Sequence, residues 1–584
     1  MKKAIVRMLA TIGALVVLGY IGFVTYMLTY KGSVPSKTIL EVNFDREIIE
    51  YAPDDPVATV TMRSKPRLRA VLDAIERAAG DQRVVGLVAK IGGSGGGMAQ
   101  IQELRDAITA FREKGKWAVA YSETFGEAAP GNGGYYLATA FDRIYMQPSG
   151  DVGLTGLMSE TPFVRGALDK LGVVPRLDHR HEYKNAMNTF TDKKFTEPHR
   201  EALTKVLDSL FGQMVSGIAT GRKLPEAQVR TLVDKGPYLG QEAVTAKLVD
   251  QLAYRDQVYA EIKQKAGKDA QFLFLGKYLE RAGGPYEEGR SVALIFGVGS
   301  VARNNSDYNP VTGGLTMGSD TVAGAFRDAI EDQDVKAILF RVDSPGGSYV
   351  ASDAIWHEVI RAKQAGKPVI VSMGNVAGSG GYFVAMGADK IVAQPATITG
   401  SIGVLGGKAV TTAFWEKLGV TFDAVQTSQH AGMYSTGKDY SPEEWVRFQA
   451  WLDRVYADFT GKAAQGRKLS KEQVLQIAKG RIWSGADAKA LGLVDELGGY
   501  STALKLTRQA ANIPLEAPLH LKEFPVRKTP LARLLDRGPE SSEPATQTLV
   551  SVLEALRPAL ALADRLGLIS NPGVLTMPDM GEVR

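Results

Sequence analysis

The sequence predicts an α/β protein made of two tandem copies of one unit behind a single membrane-crossing helix. Three observations carry that prediction. Residues 8–28, MLATIGALVVLGYIGFVTYML, contain no charged side chain. Residues 131–156 and 378–403 align without gaps at an offset of 247 and are identical at 11 of 26 positions. Within each copy, short apolar runs alternate with helical periods, the pattern of parallel βαβ units.

Composition agrees. A chain of 584 residues exceeds one ordinary domain. Hydrophobic residues at 45% and charged residues at 23% describe a folded chain and exclude wholesale disorder, collagen and coiled coil. The net charge of +5 is spread without a dense basic block, which argues against a nucleic-acid partner. The absence of cysteine excludes disulfides, thiolate metal sites and cysteine nucleophiles.

The elements follow in chain order. Lys2, Lys3 and Arg7 precede the apolar stretch. About 20 helical residues cross a bilayer, so residues 8–30 read as an anchor. The positive charges place residues 1–7 in the cytoplasm and the body outside it. No A-x-A cleavage site follows, so the anchor is expected to stay. The first copy covers residues 36–285 and the second 286–514. Each opens on a strand (38–44; 292–296) and an amphipathic helix (67–79; 321–332). A buried strand (84–91; 335–342), a Gly-rich loop, a helix and another strand (117–121; 368–372) come next. A long helical region (198–219; 442–462) lies near the end of each. The repeat extends beyond the first match: DQRVVGLVAKIG from Asp81 faces DQDVKAILFRVD from Asp332, and ATGRKLPEAQV from Ala219 faces AQGRKLSKEQV from Ala464. Residues 515–584 read as a tail. Within it, 525–546 is a Pro-, Arg-, Glu- and Ser-rich linker, and 549–566 has helical spacing. The last dozen residues are expected to lie loose or to dock on a neighbour.

Two Gly-rich elements in the second copy can carry chemistry. Asp343-Ser344-Pro345-Gly346-Gly347-Ser348 follows a buried strand. Ala377-Gly378-Ser379-Gly380-Gly381-Tyr382 opens an apolar helix. A serine there can be an exposed nucleophile, with backbone N–H groups facing a developing oxyanion. It can equally be a helix cap among glycines that serve packing. A P-loop is excluded, because G-x-x-x-x-G-K-[ST] is absent. A nucleophilic serine needs a base. The six histidines show no triad context and no H-E-x-x-H occurs. A buried lysine, neutral near pH 7, is the other choice. The duplication separates the candidates. Ser379 aligns with Asn132, while Lys184 aligns with Ala431. One copy keeps the hydroxyl and the other keeps the amine, as expected of a composite site. The competing reading is an ordinary surface lysine in a mobile loop.

These residues resemble the long, duplicated form of the signal peptide peptidase A (protease IV) family, membrane-anchored Ser–Lys peptidases. The resemblance runs from the anchor to about residue 510. Its motifs are D-S-P-G-G at 343–347, S-G-G-Y at 379–382, T-G-S-I-G at 399–403 and Y-K-N-A at 183–186. It implies two crotonase- or Clp-protease-like domains, each a spiral of β-β-α turns. It implies Ser379 as nucleophile, Lys184 as general base and Ser401 as the serine that orients the lysine. The backbone N–H of Gly380, with that of Gly346 or Gly347, would form the oxyanion hole. The first copy has Leu154 opposite Ser401. The approach Asn375-Val376-Ala377-Gly378 is less alanine-rich than expected. No metal or cofactor is implied. A homo-tetramer in a bacterial inner membrane is implied, with its catalytic body on the periplasmic side. It would cleave spent signal peptides and other apolar unfolded segments. Two further readings stand beside this one. A non-catalytic membrane scaffold of the same fold is disfavoured by the presence of both Ser379 and Lys184. A crotonase-like acyl-CoA enzyme is disfavoured by an exported location. Whether Ser379 and Lys184 meet within one chain is left to the tertiary structure.

Overall fold

A computed structural model describes residues 32–92, 96–310, 312–526 and 575–577. The predicted anchor at 8–30 and the tail segment at 549–566 lie outside the described residues. Among the described residues no helix is long and apolar enough to cross a membrane.

Two sheets share one strand order. The first runs Gln251–Leu252, Arg143–Met146, Trp117–Ser122, Val84–Lys90, Thr38–Asn43, Gln271–Phe274, all parallel. The second runs Glu496–Leu497, Lys390–Ala393, Val369–Gly378, Val335–Ser344, Arg290–Val298, Leu519–Phe524, again parallel. Strand for strand the two correspond. Central strands of such sheets are covered on both faces, which is why they read as unbroken apolar runs. Ile338, Leu339 and Phe340 are fully buried, as are Leu87, Val88 and Ala89. The covering helices include Leu68–Gly80 and Met98–Glu113 in the first copy, and Ser319–Glu331 and Tyr349–Gln364 in the second. The long helices Glu197–Arg222 and Pro442–Arg467 both end on a left-handed lysine, Lys223 and Lys468.

One boundary moves. Leu519–Phe524 falls in the stretch that sequence analysis assigns to the tail, yet it pairs in parallel with Arg290–Val298. It occupies the position that Gln271–Phe274 holds in the first sheet, so the second unit extends to Phe524.

Three contacts join the copies near the candidate site. Val174–His179 of the first pairs antiparallel with Leu405–Val410 of the second, from Val174 opposite Val410 to His179 opposite Leu405. Asn375 of the second accepts the Gln100 N–H in the first turn of Met98–Glu113 at 3.0 Å. Arg341, wholly buried, reaches across to two carboxylates of the first copy, with Nε 2.8 Å from Glu50 and Nη2 2.5 Å from Glu103. Burial alone would lower the Arg341 pKa, but Glu103 and Glu50 outweigh it and hold the guanidinium charged. A buried charge so paired is stable only while both partners remain.

Candidate active site

The site grows from the end of one strand. Val369–Gly378 outruns its neighbours, and its last three residues pair with Ile398–Gly400, Gly378 opposite Gly400. Ser379 and Ser401, the residues that follow the two strands, therefore emerge side by side. Both bend sharply, with φ of 53° at Ser379 and 51° at Ser401. A non-glycine residue at positive φ is strained, and the surrounding hydrogen bonds hold it there. The Ser379 N–H donates to Gly400 O at 2.8 Å, and the Ser401 N–H donates to Arg481 O at 2.7 Å. The helix Gly380–Ala385 starts immediately after Ser379.

Lys184 arrives from the first copy. The ladder 174–179 with 405–410 carries the chain onto the second copy, and the Tyr183 N–H then donates to Lys479 O at 3.2 Å. The side chain is fully buried. Its Nζ lies 2.8 Å from Ser379 Oγ, 3.0 Å from Ser401 O and 3.0 Å from Ser401 Oγ. Burial pushes its pKa well below the usual lysine value, with no opposing charge. The contact set suits a neutral amine: two N–H groups donate to Ser401, and the lone pair faces the Ser379 hydroxyl. The structure thus brings Ser379, Lys184 and Ser401 into one cluster within one chain.

The predicted oxyanion glycines lie beside it. A Cβ on Gly380 would stand 3.0 Å from Gly347 N and 3.1 Å from Gly346 Cα, so the two Gly-rich elements touch backbone to backbone. The Gly346 N–H donates to Ser344 Oγ at 3.2 Å. The Gly347 N–H lies on the edge that pairs antiparallel with Leu575, so both N–H groups of the pair are engaged in this structure. Asp343 begins this loop and accepts the Val376 N–H at 2.9 Å. Burial, aided by Glu50, pushes its carboxyl up to about 7. Among the described residues no group of three His, Asp or Glu side chains is gathered to hold a metal ion.

Sequence reasoning missed the loop at 479–481. A Cβ on Gly480, whose φ is +80°, would stand 2.5 Å from Lys184 Cβ, so only glycine lets the loop close over the lysine. A signal existed: Lys479-Gly480 repeats Lys235-Gly236 at an offset of 244. The approach of residues 575–577 to the same site has no counterpart signal.

The profile of Peptidase family S49 matches residues 110–269 and 361–514. The chain is 31% identical over 494 residues to "Serine protease SPPA, chloroplastic" of Arabidopsis thaliana, covering 82% of this chain and 71% of that protein. It is 32% identical over 478 residues to "Protease 4" of Salmonella typhi, covering 80% of this chain and 75% of that protein. Among solved structures, a ClpP1 mutant of Listeria monocytogenes aligns over 37% of this chain and 94% of its own, at 14% identity and a TM-score of 0.22.

Proposed function

The chain belongs to Peptidase family S49 and is on that ground a serine-type peptidase; from that premise we propose that it is an endopeptidase working through a Ser379–Lys184 dyad. The observation that carries the reading is the buried Nζ–Oγ contact of 2.8 Å between an amine with a depressed pKa and a strained serine. Neutral Lys184 takes the Ser379 proton as Oγ attacks a peptide carbonyl. The developing oxyanion faces the N–H of Gly380 together with that of Gly346 or Gly347. Lys184 then gives the proton to the departing amine, and water hydrolyses the ester. Ser401 holds the amine in place through both of its oxygens.

The substrates in this reading are apolar extended segments, spent signal peptides among them, met at the membrane to which residues 8–30 tie the body. Assembly into a homo-tetramer has support in the second copy. Its segment 421–431, the counterpart of the one bearing Lys184, stays on the surface with Phe422 and Val425 exposed. Docking it on the first copy of a neighbouring chain would repeat the contact already made within the chain, a head-to-tail interface that can close a ring.

The test is hydrolysis of a fluorogenic apolar peptide by the detergent-solubilised chain, beside Ser379→Ala and Lys184→Ala, each checked for folding. Activity in the parent and its loss by orders of magnitude in both variants is the expected result. A folded parent that cleaves nothing, or an active Lys184→Ala, overturns it.

A further inference from the structure

The strand that leads to Ser379 is irregular just before it arrives. Arg341 faces Ser372 and Val342 faces Met373 in register, and the next pair is Ser344 with Ala377. Gly374, Asn375 and Val376 therefore stand opposite Asp343 alone. Such a bulge disrupts the pairing and leaves backbone groups outside the ladder. Side chains take the ladder's place here. The Val376 N–H donates to Asp343 Oδ1 at 2.9 Å. A Cβ on Gly374 would stand 2.8 Å from Asp343 Cγ, so the carboxyl packs on that backbone. Thr397 Oγ1 donates to Gly374 O at 2.8 Å, and Thr399 Oγ1 donates to Ala377 O at 2.7 Å.

Asp343 holds the facing loop through its own backbone. Its carbonyl accepts the Gly299 N–H at 2.9 Å. From Gly299 the chain runs into Ser300–Ala302, whose Val301 pairs with Gly347. One residue thus ties the segment bearing Ser379 to the loop bearing Gly346 and Gly347. The bulge also bears on the first copy. The N-cap of Met98–Glu113 is Gly97, which has no side chain to offer. Asn375 Oδ1 accepts the N–H of Gln100, the third residue of that helix, at 3.0 Å. That is the bond an N-cap side chain makes. The first copy is built otherwise. By the repeat, Gly92 stands opposite Asp343, and the eight residues 123–130 replace the four at 374–377. Where the second copy has a carboxyl, an extended strand and a serine, the first has Gly92, a longer loop and Asn132.

We propose that Asp343 is a positioning residue for the peptidase reaction: it closes the bulge at 374–376 and so fixes Ser379 against the D-S-P-G-G loop. The proposal rests on the peptidase reading above. Asp343 touches neither Ser379 nor Lys184; it acts through Val376, three residues before the nucleophile. Nucleophile and oxyanion donors sit on different strands, so their spacing depends on what joins those strands. A displacement of about 1 Å at the reacting atoms can cost on the order of 10²-fold in rate. Substrate binding elsewhere in the groove does not depend on that spacing, so the loss should fall on kcat rather than KM.

Two variants of the full, detergent-solubilised chain test this with a fluorogenic apolar peptide. Asp343→Ala removes the acceptor for the Val376 N–H. Its kcat should fall about 10²-fold, with KM within about twofold of the parent. Asp343→Asn keeps an acceptor of the same length and should recover most of that loss. A fall of less than about tenfold in Asp343→Ala overturns the proposal. So does a rise in KM with kcat unchanged, or an Asp343→Asn chain as slow as Asp343→Ala. Should Asp343→Ala not fold, Asp343→Ser replaces it: its hydroxyl stops short of the Val376 N–H, and the same fall in kcat is expected. If the parent itself cleaves nothing, the peptidase reading fails, and hydrogen exchange judges the clamp independently. Faster exchange of the Val376 amide in Asp343→Ala or Asp343→Ser than in Asp343→Asn upholds the clamp, and equal exchange overturns it.

Discussion

Ser379 and Asn132 stand at the same place in the two copies, and the chain around them is built differently. Asn132 is the first residue of the helix Asn132–Ala138, and its side chain closes on its own loop. Its Oδ1 accepts the N–H groups of Thr155 and Gly156, both at 3.1 Å, and its Nδ2 donates to Gly156 O at 2.9 Å. Ser379 stands one residue before its helix at positive φ, with its hydroxyl turned to Lys184. A second pair shows the same divergence. Lys90 and Arg341 are equivalent by the repeat. The Lys90 amine stays partly in solvent, 3.2 Å from Asp45 and 2.9 Å from Glu123. Arg341 is sealed between the copies. Duplication supplied two scaffolds. One kept a strained serine and a buried cation, while the other settled into satisfied polar loops and lent its lysine across the interface.

The largest expected effect breaks the comparison at the dyad. Ser379→Ala and Lys184→Ala should each lower kcat/KM by roughly 10³-fold or more, and the double variant should be little worse, since the two act as a unit. Adding Asn132→Ser to Ser379→Ala should restore nothing, because a helical serine beside Gly156 has no base; recovered peptidase activity would show that the copies are interchangeable.

Next in size is the buried cation. Arg341→Met strands Glu50 and Glu103 and should cost about 3–5 kcal/mol of stability. Lys90→Met removes a partly solvated pair and should cost at most about 1 kcal/mol. Denaturant melts of the two variants measure the difference, and equal losses would refute the contrast between a sealed and a wet position.

A smaller effect is the pH profile. Because the Lys184 pKa is depressed, activity should rise with pH through neutrality and level off well below the ordinary lysine range. Asp343 also titrates near neutrality. Asp343→Asn keeps an acceptor for the Val376 N–H, so the rise should survive in it if Lys184 is the base; a flat profile in that variant would assign the rise to Asp343.

The smallest effect concerns stability. Between the depressed folded pKa of Lys184 and its ordinary value, the unfolded chain holds a proton on Lys184 that the folded chain does not. Unfolding therefore takes up a proton, and this group's contribution to stability rises with pH until the ordinary lysine pKa of about 10.4 is passed. Lys184→Met removes that penalty, so it should raise Tm at pH 7 while abolishing hydrolysis. A lower Tm, seen by calorimetry, would mean that the amine is not buried at a cost.

Much of this was legible beforehand in particular residues. The apolar runs around Val88 and Leu339 marked central strands because both faces of a parallel sheet are covered. The Asn132/Ser379 and Lys184/Ala431 exchanges stood out because the repeat aligns them. The strand Leu519–Phe524 was missed because LHLKEF is polar enough to pass for linker, as an edge strand can be. The duplicate at Gln271–Phe274 held the clue. Nothing in LTM at 575–577 marks it as a strand that pairs with Gly346–Gly347.

By itself the sequence determined the two-copy α/β plan and which side chains could serve as nucleophile and base, because periodicity and repetition are local and survive without coordinates. Only the tertiary structure decided that Lys184 and Ser379 meet in one chain, that Arg341 is sealed between the copies and that Met577 lies beside Gly378. Each of those depends on which groups exclude water from one another across hundreds of residues, and burial of that kind is a property of the packed chain.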